Sequence, residues 1–232
     1  MTGDGFPYGY RKITVTLKED YNLIINHKKV YRLCNELKIL RDNPKMYPNR
    51  PRQPVQKIKV DAPNQLWQMD LKYGYIANQN RFFFMISVID VFDRMIIDYH
   101  VGLTATARDS SRLVKNALEK RGLYHQKPII RTDNGPQFTA KRFIKTMDAY
   151  RINHERIPVE TPNLNAYIEA FHSILEDECF IRHEFENFSQ VYDVIQKYID
   201  YYNNRRRHGS LNYKTPAKYH LQNIEGSNQQ VA

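Results

Sequence analysis

Cysteine is scarce. Cys34 and Cys179 are the only two in 232 residues, too few and too far apart for a disulfide scaffold or a structural zinc knot, so a reducing compartment is expected. Nine glycines and eleven prolines exclude a collagen-like or low-complexity chain. Long apolar runs are missing as well. The longest, Phe82 to Ile89, includes Ser87 and is closed by Arg81 and Asp90, far short of the roughly 20 residues that cross a bilayer. Met1 to Gly9 lacks the charged start and apolar stretch of a secretion signal. No Gly-x-x-x-x-Gly-Lys-Ser/Thr run marks an ATP-driven motor. The expectation is a cytoplasmic protein without a membrane anchor. Hydrophobic residues at 41% and aromatics at 12% exclude wholesale disorder and supply a core.

Acid is also in short supply. Thirty-five Lys and Arg stand against 25 Asp and Glu, a net charge of +10 that suits a polyanionic partner. The excess is terminal. Residues 1–60 hold 13 basic and 5 acidic side chains, 61–200 hold 17 and 19, and 201–232 hold 5 and 1. Two basic attachments on a near-neutral, enzyme-sized core are expected. A merely solvated surface at the chain ends is the plainer alternative.

Four segments follow from the local pattern. In 1–40, Tyr10, Ile13 and Leu17 have helical spacing, although Ile13, Val15 and two threonines also permit a strand. Asn26 can cap a second helix with Val30, Leu33, Cys34 and Leu37 on one face and Lys28, Lys29, Arg32 and Lys38 solvated. Residues 41–63 carry prolines at 44, 48, 51, 54 and 63 among Lys45, Arg50, Arg52, Lys57 and Lys59, which predicts an extended basic linker. The core, 64–182, opens with three strands over Leu66–Leu71, Arg81–Val91 and Met95–Val101. It continues with a helix over Thr106–Lys120, a strand over Pro128–Thr132, a helix over Phe138–Tyr150, a strand over Asn153–Pro158 and a helix over Ala166–Glu178. In 183–232 a helix through Phe188–Tyr202 precedes a basic, turn-rich stretch and a frayed tail from Glu225. Hairpins followed by strand–helix alternation predict an α/β fold, a mixed five-stranded sheet flanked by helices.

Asp70 lies in a strand whose Trp67, Met69 and Leu71 are apolar, and an acid there needs a partner. Asp133 ends a hydrophobic strand before Asn134-Gly135, and Glu169 lies one turn into a helix. Three acids from two strands and a helix suit two divalent cations with hard oxygen ligands, the arrangement of two-metal phosphoryl transfer. Asp90, Asp93, Asp98, Asp109 and Asp148 compete for such a role on composition alone.

Trp67-Gln68-Met69-Asp70, Thr132 to Phe138, and Asn165 to Leu175 around Glu169-Ala170-Phe171 resemble the catalytic segments of retroviral-integrase-like transposases. More narrowly, the chain resembles the second-frame product of IS3-family insertion sequences. Thirty-five residues separate Asp133 from Glu169, the interval of the DD(35)E class. Tyr8 to Ile13 and Asn26 to Leu33 resemble the helix-turn-helix-like segment preceding that core, and Tyr202 through Arg205, His208, Leu211 and Thr215-Pro216 resemble its terminal signature. The resemblance implies a ribonuclease-H-like core with Asp70, Asp133 and Glu169 as catalytic residues and metal ligands, using two Mg2+ ions or Mn2+ in their place. It implies a bacterial, nucleoid-associated enzyme acting on double-stranded DNA, both insertion-sequence ends and target, as a homo-oligomer on DNA. Fusion to an upstream-frame product and copy-out through a circular intermediate are further implications.

Two positions depart from the family pattern. Glu176 stands where a lysine or arginine is common, and Lys72 where a small hydroxyl residue often follows the first aspartate. Expected DNA contacts are Arg11, Lys12, Lys28, Lys29, Arg32, Arg50, Arg52, Lys57, Lys59, Lys72, Asn165, His172, Arg205, Arg206, Arg207 and His208, with Arg131 as a further cation for the scissile-end phosphates. Trp67 and Cys179 read as buried packing residues, and His27 and Cys34 lack the second pair that a zinc site needs. Two other functions compete: an inactive transposase-derived DNA-binding or regulatory protein, and a ribonuclease-H-type nuclease.

Overall fold

A computed structural model describes residues 8–40, 58–124, 127–158 and 162–229. Five strands, β1 (Leu66–Ile76), β2 (Arg81–Asp90), β3 (Ile96–Gly102), β4 (Ile129–Thr132) and β5 (Asn153–Arg156), form one sheet in the order β3-β2-β1-β4-β5. β1 pairs antiparallel with β2, and β2 with β3, whereas β1–β4 and β4–β5 are parallel. This is the mixed, ribonuclease-H-like sheet that the sequence predicts. Of the linker expected over 41–63, residues 41–57 lie outside the described residues, and 58–63 form neither helix nor strand.

Strand alternation splits the core into two layers. On one face Trp67, Met69, Ile86 and Val88 pack with Leu113, Val114 and Phe143, carried by α3 (Ala107–Lys120) and α5 (Lys141–Ala149). The other face packs Phe83, Met85 and Ile89 against Ile168, Phe171 and Leu175 of α6 (Ala166–Glu178) and Val191, Ile195 and Tyr198 of α7 (Phe188–Asn204). That second cluster crosses residue 182 and also takes in Tyr8 and Ile13. Gly74 is needed beneath it, because a Cβ there would collide with the Phe83 ring.

Local chemistry sets the helix limits. Thr106 and Asp109 form a capping box at α3, and Asn26 and Asn187 cap α2 (His27–Glu36) and α7 through their side chains. α1 (Tyr10–Glu19) is a helix despite its β-branched residues. Thr14 Oγ1 donates to the Tyr10 carbonyl at 2.8 Å, and Thr14 and Thr16 are buried. In α2, Val30 and Cys34 are buried, while Leu33 and Leu37 of the expected apolar face lie at the surface.

Two elements differ from expectation. The helix predicted over Phe138–Tyr150 is two pieces, α4 (Pro136–Thr139) and α5, broken at Ala140, whose ψ of 141° is extended. The terminal stretch contains α8 (Pro216–Gln229), which takes in residues 225–229 of the expected frayed tail, while 230–232 lie outside the described residues. Thr215 Oγ1 accepts from the Lys218 N–H at its start. His220 then reaches Asp93 at 2.6 Å, beside Arg121 at 3.1 Å from the same carboxylate, and this pins α8 to the β2–β3 turn. Asn203 clamps α7 to β3 by donating to the Ile96 carbonyl and accepting from its N–H.

Candidate active site

Because Trp67 and Met69 face α3 and α5, the intervening Gln68, Asp70 and Lys72 of β1 face α6. α6 presents Asn165 at its N-cap, then Glu169, His172 and Glu176. This four-three-four spacing keeps all four on one side of the helix. β1 and α6 meet at three points. Asn165 Nδ2 donates to the Met69 carbonyl at 3.4 Å, His172 Nδ1 lies 3.4 Å from Asp70 Oδ2, and Lys72 Nζ lies 2.6 Å from Glu176 Oε2.

Gln68 fixes the start of α6, a role the sequence analysis missed. Its Oε1 accepts from the N–H groups of Tyr167 (3.1 Å) and Ile168 (3.0 Å), and its Nε2 donates to the Leu164 carbonyl (2.8 Å). These first-turn N–H groups have no partner within the helix, and Asn165 makes no side-chain cap bond. A buried glutamine among apolar strand residues was the available signal. Arg131 assists, donating to the Leu164 carbonyl at 2.9 Å while pairing with Glu155.

The parallel register places Met69 opposite Thr132, so Asp70, inside β1, lies beside Asp133, which directly follows the end of β4. Asp133 accepts from the Gly135 N–H at 3.0 Å, and Asn134 ties the turn to the Ile157 carbonyl at 2.8 Å. Desolvation raises the Asp133 carboxyl; the Gly135 N–H opposes this and the Asp70 charge adds to it. Glu169, also raised, responds first to desolvation and then to Asp70. Asp70 is therefore the electrostatic centre of a group of three acids.

Asp133 and Glu169, each acted on by the Asp70 charge, make with it a donor set of the type suited to a hard divalent cation. Their present arrangement is open: among the described residues, no three His, Cys, Asp or Glu side chains are grouped to hold an ion. Asp70 is instead engaged by His172 and by the Leu71 N–H at 2.8 Å. His172 Nε2 and Asn165 Oδ1 are buried without a hydrogen-bond partner in the same seam.

Several of the expected DNA contacts are buried in this structure. Arg206 is 4% exposed and paired with Glu178 at 2.7 Å. Arg207, 8% exposed, pairs with Glu19 (2.5 Å) and Asp20 (2.6 Å), which ties the terminal segment to α1. Arg131, Asn165 and His172 are likewise buried in the pairings above. His208 is half-buried, and its pKa is depressed to about 3 by desolvation and by Arg206, Lys12 and Arg94, so it carries no charge for phosphate. Arg11, Lys28, Lys29, Arg32, Lys59 and Arg205 are exposed. Arg32 pairs with Glu36, Lys59 with Asp61 and Arg205 with Asp200. Lys12 lies over the Tyr8 ring. Arg50, Arg52 and Lys57 fall outside the described residues.

With this geometry in place, the comparisons agree on a class. A family described as "Integrase core domain" matches residues 60–162, a second of the same description matches 150–216, and an "HTH-like domain" matches 6–47. A chain of the simian T-cell lymphotropic virus intasome, solved with the PP2A regulatory subunit B56 gamma, shares the fold with a TM-score of 0.60 at 17% identity, over 92% of this chain and 70% of that one. The HTLV-2 integrase catalytic core domain in complex with magnesium gives 0.51 at 19% identity, over 68% and 97%. The molecule is thus built on an integrase-like, ribonuclease-H-like core.

Sequence relatives narrow the class. The "Insertion element IS476 uncharacterized 39.2 kDa protein" of Xanthomonas euvesicatoria is 34% identical over 91% of this chain and 60% of its own length. The putative transposase InsK for insertion sequence element IS150 of Escherichia coli K12 is 30% identical over 93% of this chain and 78% of that protein. The chain belongs to the IS3-family insertion-sequence transposases, with their retroviral-integrase-like DDE catalytic core. It spans 60% of the length of the first of these relatives. The relatives are bacterial, and among the described residues no helix is long and apolar enough to cross a membrane.

Proposed function

We propose that this chain is a DNA transposase that cleaves insertion-sequence ends and joins them to target DNA by direct transesterification. The observation carrying this reading is the electrostatic grouping of Asp133 and Glu169 about Asp70 at one end of the β1–β4 pair. Asp70, Asp133 and Glu169 would hold Mg2+, or Mn2+ in its place. Bound there, divalent cations supply activation of the attacking hydroxyl and charge neutralisation at the leaving oxygen.

The remaining work belongs to this chain's own groups. Gln68 sets the orientation of α6 and hence of Glu169. The Gly135 N–H holds Asp133 at the strand end, and the contacts of Asp70 with His172 and of Lys72 with Glu176 fix which side of α6 faces Asp70. Water is the nucleophile for end cleavage and a DNA 3'-hydroxyl for joining, with inversion at phosphorus and no protein–DNA covalent intermediate. The surface cations Arg11, Lys28, Lys29 and Arg32 on α1 and α2 supply phosphate contacts, with the duplex ends and target as partners. A homo-oligomer on DNA brings two ends together, and fusion to an upstream-frame product and residence on the nucleoid complete the reading.

The test is incubation of labelled element ends with the protein and Mg2+ or Mn2+. Cleaved 3'-hydroxyl ends and joined products, with no DNA retained on denatured protein, support transposition. Cleavage of RNA–DNA hybrids alone would indicate a general ribonuclease-H-type nuclease. The open arrangement of the three acids favours a second reading, an inactive DNA-binding regulator, for which the ends would be bound and never cut.

A further inference from the structure

One cavity is not used by the reaction above. It has a volume of about 410 Å³ and lies between the β2–β3 turn, the start of α6 and the segment leading into α8. Its walls include Phe92, Arg94, Tyr167 and Tyr219, together with the aliphatic Val60 and Leu211. The aromatic surfaces are ordered: the Phe92 and Tyr219 rings are 5.4 Å apart, and the Arg94 guanidinium lies 3.9 Å above the Tyr167 ring.

Arg94 is the anomaly. Its backbone is left-handed, with φ of 62°, in the region that non-glycine residues rarely adopt. Its Nη1 is buried without a hydrogen-bond partner, and among the described residues no carboxylate pairs with it. A partly buried guanidinium held only by a π face leaves its charge poorly compensated. Arg131, the other cation in the wall, is paired with Glu155, which leaves Arg94 as the wall cation without a carboxylate among the described residues. A flat aromatic ligand with an anionic or carbonyl edge satisfies both wall and cation, and the volume falls within the range of small-molecule pockets.

Position supplies the source of that ligand. Tyr167 precedes Glu169 by two residues on α6, and its N–H is held by Gln68. Leu66, also in the wall, precedes Asp70 by four residues on β1, about 13 Å at the rise of a strand. That distance is about four base steps of duplex DNA. We propose that the cavity receives a single nucleobase extruded from the DNA within about four nucleotides of the reacting phosphate, stacked on the aromatic wall and held at its acceptor edge or phosphate by Arg94. The proposal rests on the transposase reading, since it takes DNA as the ligand of the adjoining acids.

The experiment places 2-aminopurine at each terminal position of an element-end duplex, in turn, and follows its fluorescence as protein is added. The proposal predicts a rise of at least about threefold at one position and little change elsewhere. The rise is lost in Arg94→Gly, which suits the left-handed backbone, and in Tyr219→Leu, both at protein concentrations that anisotropy shows to saturate the DNA. Thermal unfolding verifies that each variant is folded. Binding and cleavage without brightening at any position overturn the pocket while leaving the transposase reading intact. Absence of DNA binding overturns both. Thermal stabilisation by millimolar free mononucleotide without brightening on DNA assigns the cavity to a free nucleotide and overturns extrusion.

Discussion

Lys72 Nζ and Glu176 Oε2 lie 2.6 Å apart, so the two positions at which the chain departs from its family's pattern are partners. Lys72 follows Asp70 by two residues on β1, and Glu176 follows Glu169 by two turns on α6. The pair therefore closes the seam one row beyond the acids. Both side chains retain solvent access, at 25% and 40%. Such a pair contributes little to stability, and its weight falls on the charge presented beside the site.

Removing Glu176 should release that cation. In Glu176→Gln, DNA affinity rises about two- to threefold at low salt, with the melting temperature nearly unchanged. Lys72→Met lowers affinity and reduces the slope of log affinity against log salt by about 1, the contribution of one phosphate contact. Anisotropy titrations over about 50 to 200 mM salt check both.

Gln68 has a structural cost that composition does not reveal. Gln68→Met keeps the volume and removes three hydrogen bonds at the start of α6. Destabilisation of about 3 kcal/mol is expected from the groups left unpaired. At about 2–4 °C per kcal/mol for a chain of this size, melting should fall by about 6–12 °C in thermal unfolding. The turnover of any fraction that remains folded should fall more than its DNA affinity.

Arg206 and Glu178 form a buried ion pair, with Tyr198 donating to the same carboxylate. Arg206→Met alone strands a buried charge and costs about 3–5 kcal/mol, whereas combining it with Glu178→Leu recovers most of that loss. Denaturant unfolding of the two single variants and the double variant measures the coupling. A double variant as unstable as the sum of the singles would contradict a purely mutual pairing.

The protonation of His208 predicts a pH trend. Its pKa is ordinarily near 6.5 and is depressed to about 3 in the fold by desolvation and by Arg206, Lys12 and Arg94. Between those values the unfolded chain binds the proton and the folded chain does not, so stability falls as the pH falls. Relative to His208→Gln, the wild type should lose about 1 kcal/mol per pH unit between about pH 6 and 4. Denaturant melts at matched ionic strength read the difference, and parallel curves for the two proteins would contradict the assignment.

The sheet was legible because alternation in Leu66–Leu71 and the apolar runs of β2 and β4 report burial directly. α6 was legible for its periodicity. The sequence could not show that Gln68, Asp70 and Lys72 on one strand would meet the first-turn N–H groups, His172 and Glu176 of α6, since that pairing crosses about 100 residues. The same distance problem hid the fate of the basic terminus: Glu178, 28 residues from Arg206, and Asp20, 187 residues from Arg207, draw these arginines inward. α8 was missed because Gln222 to Gln229 carries Asn, Gly, Ser and Gln with little apolar periodicity, and its docking depends on His220 meeting Asp93 and Arg121. Among the described residues of the two basic ends, the cations still at the surface lie chiefly on α1 and α2.

In the proposed reaction Asp70, Asp133 and Glu169 act together on DNA. Cleavage and joining of labelled element ends should be measured with Mg2+ and with Mn2+ for wild type, Asp70→Asn, Asp133→Asn and Glu169→Gln, each at DNA occupancy matched by anisotropy. The wild type should react only with the metal present, and each variant should bind DNA while losing at least about a thousandfold in rate. A wild type that binds its ends without cutting them, or any one of the three variants that still joins DNA at the wild-type rate, would contradict the account.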